Sequence, residues 1–182
     1  MLTLFGKKKL TEEKVANVFV NATLRMIDEG FPDFAGLIED SPEFARPPVI
    51  DAENNGHFTM IILAGNIQLI PHYFQNGQDK RITEYILTTF AELYEMEKMD
   101  LAKQVSETRK FMSRKNHPSK NTINAMAKAL FCKYELNQYQ EEYFRNMQAP
   151  NPIFIQRIKD ALENFIWDWA ALKEKYKIVQ TA

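Results

Sequence analysis

A single cysteine, Cys132, stands in the 182 residues, so no disulfide can form within the chain and the sequence fits a reducing compartment. Histidine is almost as scarce, at His57, His72 and His117. None stands in a Glu-x-x-His or His-x-x-x-His spacing. That argues against the di-iron and three-histidine centres that helical bundles build from i, i+3 and i+4 ligands. The six glycines are scattered and form no phosphate-cradling loop. No apolar run approaches the roughly 20 residues of a membrane-spanning helix. In MLTLFGKKK the apolar residues precede the lysines, the reverse of a secretory signal. An excess of one charge is missing too. At a net charge of −1, any attraction to nucleic acid or to an anionic membrane needs a local patch. These absences describe a cytoplasmic protein with no cofactor and no metal, long enough to bury a core without either.

What the sequence does have is helical periodicity. The stretch Phe58 to Ile70 (FTMIILAGNIQLI) is apolar on nearly every face, with Thr59 and Asn66 making one narrow polar line. A helix apolar all round must be buried. The expected fold is therefore all-α, an irregular bundle of five or six helices around a central helix at about 57–71. The competing reading of this stretch is a β-hairpin turning at Ala64-Gly65-Asn66, which the Leu, Met and Ala content and the run's length disfavour.

Residues 1–10 read as a flexible arm and residues 11–182 as one helical domain. Thr11 is a natural N-cap for the first helix, with Glu12 and Glu13 at its positive end. Gly30 and Pro32 are expected to stop that helix, with a short second helix opening at Pro32. The prolines and the Asn54-Asn55-Gly56 turn make residues 41–56 a long connector. Residues 79–115 form one long helix, or two with a break near Met96–Asp100 that would take Glu97 off an apolar stripe. A further helix is expected over about 120–147. In the last segment, Ile155, Ile158, Leu162, Phe165, Trp169, Leu172, Tyr176 and Val179 recur at 3-4 spacing. That predicts one continuous helix laid along a seam.

Chemistry is less legible. Cys132 reads as a structural thiol, since nothing beside it would lower its pKa. The carboxylates Glu92, Glu95, Glu97 and Asp100 read as a solvated face. The basic run Arg109 to Lys120 complements a helix C-terminus. Lys7, Lys8 and Lys9, following Leu2, Leu4 and Phe5, offer weak membrane contact at most.

Three functional readings follow. The first is a non-catalytic protein that binds a protein partner or itself through the C-terminal seam, Trp167, or the tyrosines Tyr139 and Tyr143, because exposed Trp and Tyr are typical interface anchors. The second is a small-molecule-binding domain with an apolar pocket near Thr59, Asn66 and Met60, lined further by Met96, Met99 and Met126. The third is an enzyme using Glu97 with His72 or His117, which lacks any motif spacing.

Overall fold

The computed structural model describes residues 6–181, and the chain is an α-helical bundle with one small parallel strand pair. β1 (Lys8–Thr11) leads into α1 (Glu12–Glu39). α2 (Gly56–Tyr73), α3 (Gln78–Leu93), α4 (Lys98–Asn116) and α5 (Thr122–Lys133) follow. After a 3-10 turn come α6 (Glu142–Met147), α7 (Pro152–Leu162), a second 3-10 turn, α8 (Trp169–Lys175) and β2 (Tyr176–Val179).

The Phe58 stretch is one helix and sits at the centre. Phe58, Ile61, Ile62, Leu63, Ala64, Ile67 and Ile70 of α2 are all buried, and α1, α3, α4, α5 and α8 pack around it. Gly65 is what lets α5 come so close: a Cβ there would lie about 3 Å from Cγ of the buried Met126. Phe58 is the hub of an aromatic cluster, with ring centroids 4.6 Å from Phe34, 4.9 Å from Phe165 and 5.1 Å from Phe31.

The first helix begins as its sequence implies, Thr11 Oγ1 accepting from Lys14 N at 3.3 Å. It does not stop at Gly30. α1 continues through Pro32 to Glu39, and no separate helix opens there. An interior proline costs about 3 kcal/mol. Burial of Phe31, Phe34 and Ile38, at about 1.5–3 kcal/mol each, outweighs that cost. Gly30 has a different use, because its bare Cα makes room for the Phe165 ring, which an added Cβ would meet at 2.8 Å.

Glu12, in the first turn of α1, is fully buried and receives Nε and Nη2 of Arg81 from α3 at 2.8 Å each. The Arg81 hydrogen bonds hold its carboxyl below the ordinary carboxylate value against the opposing effect of burial. This fork ties α1 to α3.

Residues 78–116 are two helices. They part at Tyr94–Glu97, where Glu95 takes a left-handed conformation and Glu97 becomes the N-cap residue of α4. Asn76 and Gly77 are both left-handed and turn the chain from α2 into α3.

Two expected helices are broken. The 120–147 segment ends its first helix at Lys133, turns at left-handed Glu135, and resumes only in the six residues of α6. The expected seam helix is also interrupted, at 163–168, and its last residues are strand rather than helix. The reason is Asn66. Its Nδ2 donates to Ile62 O at 3.0 Å and to Phe165 O at 2.9 Å, and its Oδ1 accepts from Trp167 N at 2.8 Å. A buried amide on α2 thus takes up backbone groups that a continuing helix would have used itself. Asp168 then caps α8 by accepting from Ala171 N. Ile155, Ile158, Leu162, Phe165 and Trp169 are still buried, but against this chain's own core.

The arm expected over residues 1–10 is tied down from Lys8 onward; residues 1–5 lie outside those described. β1 and β2 run parallel, with Lys8 opposite Tyr176, Lys9 opposite Lys177, Leu10 opposite Ile178 and Thr11 opposite Val179. Among the described residues, no helix is long and apolar enough to cross a membrane.

Candidate functional site

A cleft opens where the first turn of α2 faces α4 and the end of α5, with a volume of about 510 Å³. α4 supplies one helical face to it: Gln104, Glu107, Thr108, Phe111 and Arg114 recur at 3-4 spacing, joined by Lys110 one turn before Arg114. α2 supplies Gly56, His57, Met60 and Ile61, and α5 supplies Lys133. Met60 and Ile61 with Phe111 make an apolar floor beneath a polar rim. The volume falls within the range of ordinary ligand clefts.

The charge on that rim is uneven. Glu107 is the only carboxylate of the lining, against Lys110, Arg114 and Lys133. Among the described residues the ion pairs are Arg25–Glu29, Arg81–Glu12, Lys98–Glu84 and Arg157–Glu43, and none of the three rim cations takes part. Lys133 and Lys115 instead lie over the Phe111 ring, at 4.8 and 5.6 Å from its centroid. Such contacts add about 0.5–1 kcal/mol at exposed positions and fix where the ammonium groups stand. The first turn of α2 adds positive potential, since Asn55 in the N-cap position does not cap it. Its Oδ1 accepts from the Thr59 hydroxyl instead, at 3.3 Å.

Local structure holds the α4–α5 corner in place. Asn116 is buried and its Nδ2 donates to Ser119 O at 3.1 Å and Asn121 O at 3.0 Å, while its Oδ1 accepts from Asn124 Nδ2. Behind the cleft, the Tyr134 ring meets the His57 ring edge-on at 6.0 Å. Burial pushes the Tyr134 phenol up to about 12.

Of the residues singled out from the sequence as pocket candidates, Met60 lines this cleft, and Thr59 and Asn66 do not. Asn66 is fully buried with every polar atom partnered, so its work is structural. Met126 is buried in the core, while Met99 is exposed at the α3–α4 corner. Met96 lies at that corner too, in a shallow hollow with Glu92, Glu95 and Glu97.

The enzymatic set is not brought together. Glu97 and His117 bracket α4, at its N-cap and C-cap, which separates them by about 30 Å at 1.5 Å per residue. His72 is exposed near the end of α2. Among the described residues no group of three or more His, Cys, Asp or Glu side chains is placed to hold a metal ion. Cys132 is half-buried against the core.

The interface candidates divide. Trp167 is half-buried, its ring edge-on to Phe19 at 5.9 Å and to Trp169 at 6.3 Å. Tyr139 is also half-buried, under the Arg46 guanidinium at 5.1 Å and against Phe44. Tyr143 alone stands free, 68% exposed, on an α6 that contributes no buried residue. Met147, one turn further on the same face, is 57% exposed, and Ile153 at the start of α7 is 64% exposed. Gln140 anchors this corner from inside: Nε2 donates to Asn137 Oδ1 and Ala149 O, and Oε1 accepts from Asn151 N at 2.7 Å.

Sequence reasoning missed His57, Lys110, Phe111, Arg114 and Lys133 as one site. The basic run was visible, and Phe111 recurs with Gln104, Thr108 and Arg114 at helical spacing. Nothing in the sequence says that Lys133 and the start of α2 face that stripe. Comparison of the chain with protein-family models, with curated proteins and with solved structures finds no match.

Proposed function

We propose that this protein is a non-catalytic helical binding module that takes a small organic anion, one carrying a phosphate or carboxylate on an apolar body, in the cleft between α2, α4 and α5. The observation that supports the reading is the set Lys110, Arg114 and Lys133, three cations outside the ion pairs of the described residues, around a floor of Met60, Ile61 and Phe111. Charged groups left without carboxylate partners at a concave, partly apolar surface are arranged for an anion that brings its own apolar surface. Of the side chains the sequence offers for acid–base chemistry, Glu97, His72 and His117 lie outside the cleft, while His57 and Glu107 line it.

Calorimetric titration with phenyl phosphate tests this, with phenol and inorganic phosphate as the two halves of the probe. Phenyl phosphate is expected to bind more tightly than either half. The exposed pair Arg114→Ala and Lys133→Ala together should weaken it about tenfold or more, as loss of charge-assisted contacts does. Equal binding of phenol and phenyl phosphate, or no effect of the double variant, would remove the reading.

A second reading, association with a protein or a second copy of the chain, is favoured by the α6 corner. Tyr143 and Met147 cost solvation where they stand and add nothing to the core.

A further inference from the structure

The cleft between α2, α4 and α5 is not uniform along its length. Glu107, Phe111 and Arg114 recur at helical spacing on α4, and all three line it. Seven residues make almost two full turns, so Glu107 and Arg114 stand on one face about 10.5 Å apart along the axis, with Phe111 between them. One end is cationic. It holds Arg114, and Lys133 with its ammonium 4.8 Å from the Phe111 centroid. The other end holds Glu107 with Gln104 and Thr108. Lys110 is level with Phe111, one turn from each end. The helix itself does not account for Glu107. The residue is exposed in the middle of α4, beyond the first turn where the dipole favours a carboxylate. Lys103 and Lys110 lie one turn to either side, yet among the described residues neither forms an ion pair with it.

We propose that the ligand of this cleft is amphoteric: a small molecule with its anionic group at one end of an apolar body and an ammonium at the other. This rests on the anion reading of the same cleft and adds the second charge. The anionic group lies by Arg114, whose planar fork suits a phosphate or carboxylate, and by Lys133. The body lies over Phe111 and against Met60 and Ile61. The ammonium then reaches the Glu107 end. An alkylammonium has three N–H donors and no acceptor. The Glu107 carboxylate, the Gln104 amide oxygen and the Thr108 hydroxyl offer it three acceptors within little more than one turn of α4. The same carboxylate repels a second anionic group. Glu107 thus selects against ligands anionic at both ends as well as for zwitterions.

Calorimetric titration of the full chain with phenyl phosphate, 4-propylphenyl phosphate and O-phosphotyramine tests this. In the last compound an ammonium replaces the terminal methyl of the propyl arm. The preference for O-phosphotyramine over the propyl compound is expected to be about threefold greater in the parent than in Glu107→Gln, the size of an exposed charge pair. That difference should shrink as salt is raised. Glu107→Gln should also tighten phenyl phosphate, by up to about twofold, because a like charge is removed. Glu107→Lys should reverse the selection and favour 4-(phosphonooxy)phenylacetate, anionic at both ends, over O-phosphotyramine. Glu107 is exposed, so an unchanged melting temperature is the control for folding. The proposal is overturned, and the anion reading stands, if phenyl phosphate binds but parent and Glu107→Gln show the same preference between the other two. If none of the aryl phosphates binds, both fall together.

Discussion

Asn66 is the residue on which most of the chain's local geometry depends. It is an amide at full burial on the all-apolar α2, and it is tolerated because three backbone groups satisfy it. Two of these, Phe165 O and Trp167 N, belong to a segment almost a hundred positions away. Truncation to alanine strands both at a cost of about 1–3 kcal/mol per buried group. Asn66→Ala is therefore expected to destabilise the fold by about 3 kcal/mol, read as a lower midpoint of urea unfolding at unchanged slope. The nearby Trp167 and Trp169 provide the fluorescence signal. A loss under about 1 kcal/mol would mean that the break at 163–168 holds without the amide. As a polar position on an apolar helix, Asn66 was visible in the sequence, where it suggested a ligand. The periodicity that marked it could not say that the partner was the protein's own backbone.

At the scale of elements, periodicity located the buried helices and failed at their ends. The α2 helix and the Thr11 cap follow from patterns in the residues themselves, and the parting of α3 from α4 is one of the two readings that Glu97 on the apolar line leaves open. Gly30 and Pro32 misled because breakers act locally, while the burial of Phe31, Phe34 and Ile38 that keeps α1 going is tertiary. The Ile155–Val179 pattern misled in the opposite sense. Its 3-4 spacing runs on through a 3-10 turn whose Phe165 is buried and into a strand whose core-packed residue, Ile178, lies off the pattern. The cleft was illegible for a related reason, being walled by three helices whose mutual placement no single stripe encodes. Closeness of α2 and α5 rests on Gly65, and Gly65→Ala is expected to cost about 1–3 kcal/mol by overpacking Met126. Met126→Ala alone should cost about 2–5 kcal/mol as a cavity. The two changes together should cost less than their sum by about 1 kcal/mol, because the added methyl occupies part of the space the sulfur leaves. Thermal or urea unfolding of the four proteins closes that cycle, and strict additivity would rule out the close approach.

Over the whole molecule, charge and apolar surface are distributed to different ends. Lysines collect at the β1–β2 pair, cations outside the ion pairs of the described residues at the α2–α4–α5 cleft, and exposed apolar side chains at α6 and at the α3–α4 corner, where Leu93, Tyr94 and Met99 stand out. A chain with net charge −1 has little overall repulsion to keep copies apart. The second reading of function therefore predicts a concentration-dependent dimer through α6. Light scattering coupled to size exclusion at high micromolar concentration should find it, and should find a monomer for Tyr143→Ser, Met147→Ser. A parent chain that stays monomeric throughout would leave the cleft as the working surface. The pairing of Lys8 with Tyr176 through Thr11 with Val179 has a mechanical side as well. Because the strands are parallel, tension applied through residue 7 and residue 180 pulls on opposite ends of the pair. Its hydrogen bonds are then loaded together in shear instead of opening one after another, so the strand pair acts as a clasp that must slip as a unit before the helices inside it feel the force.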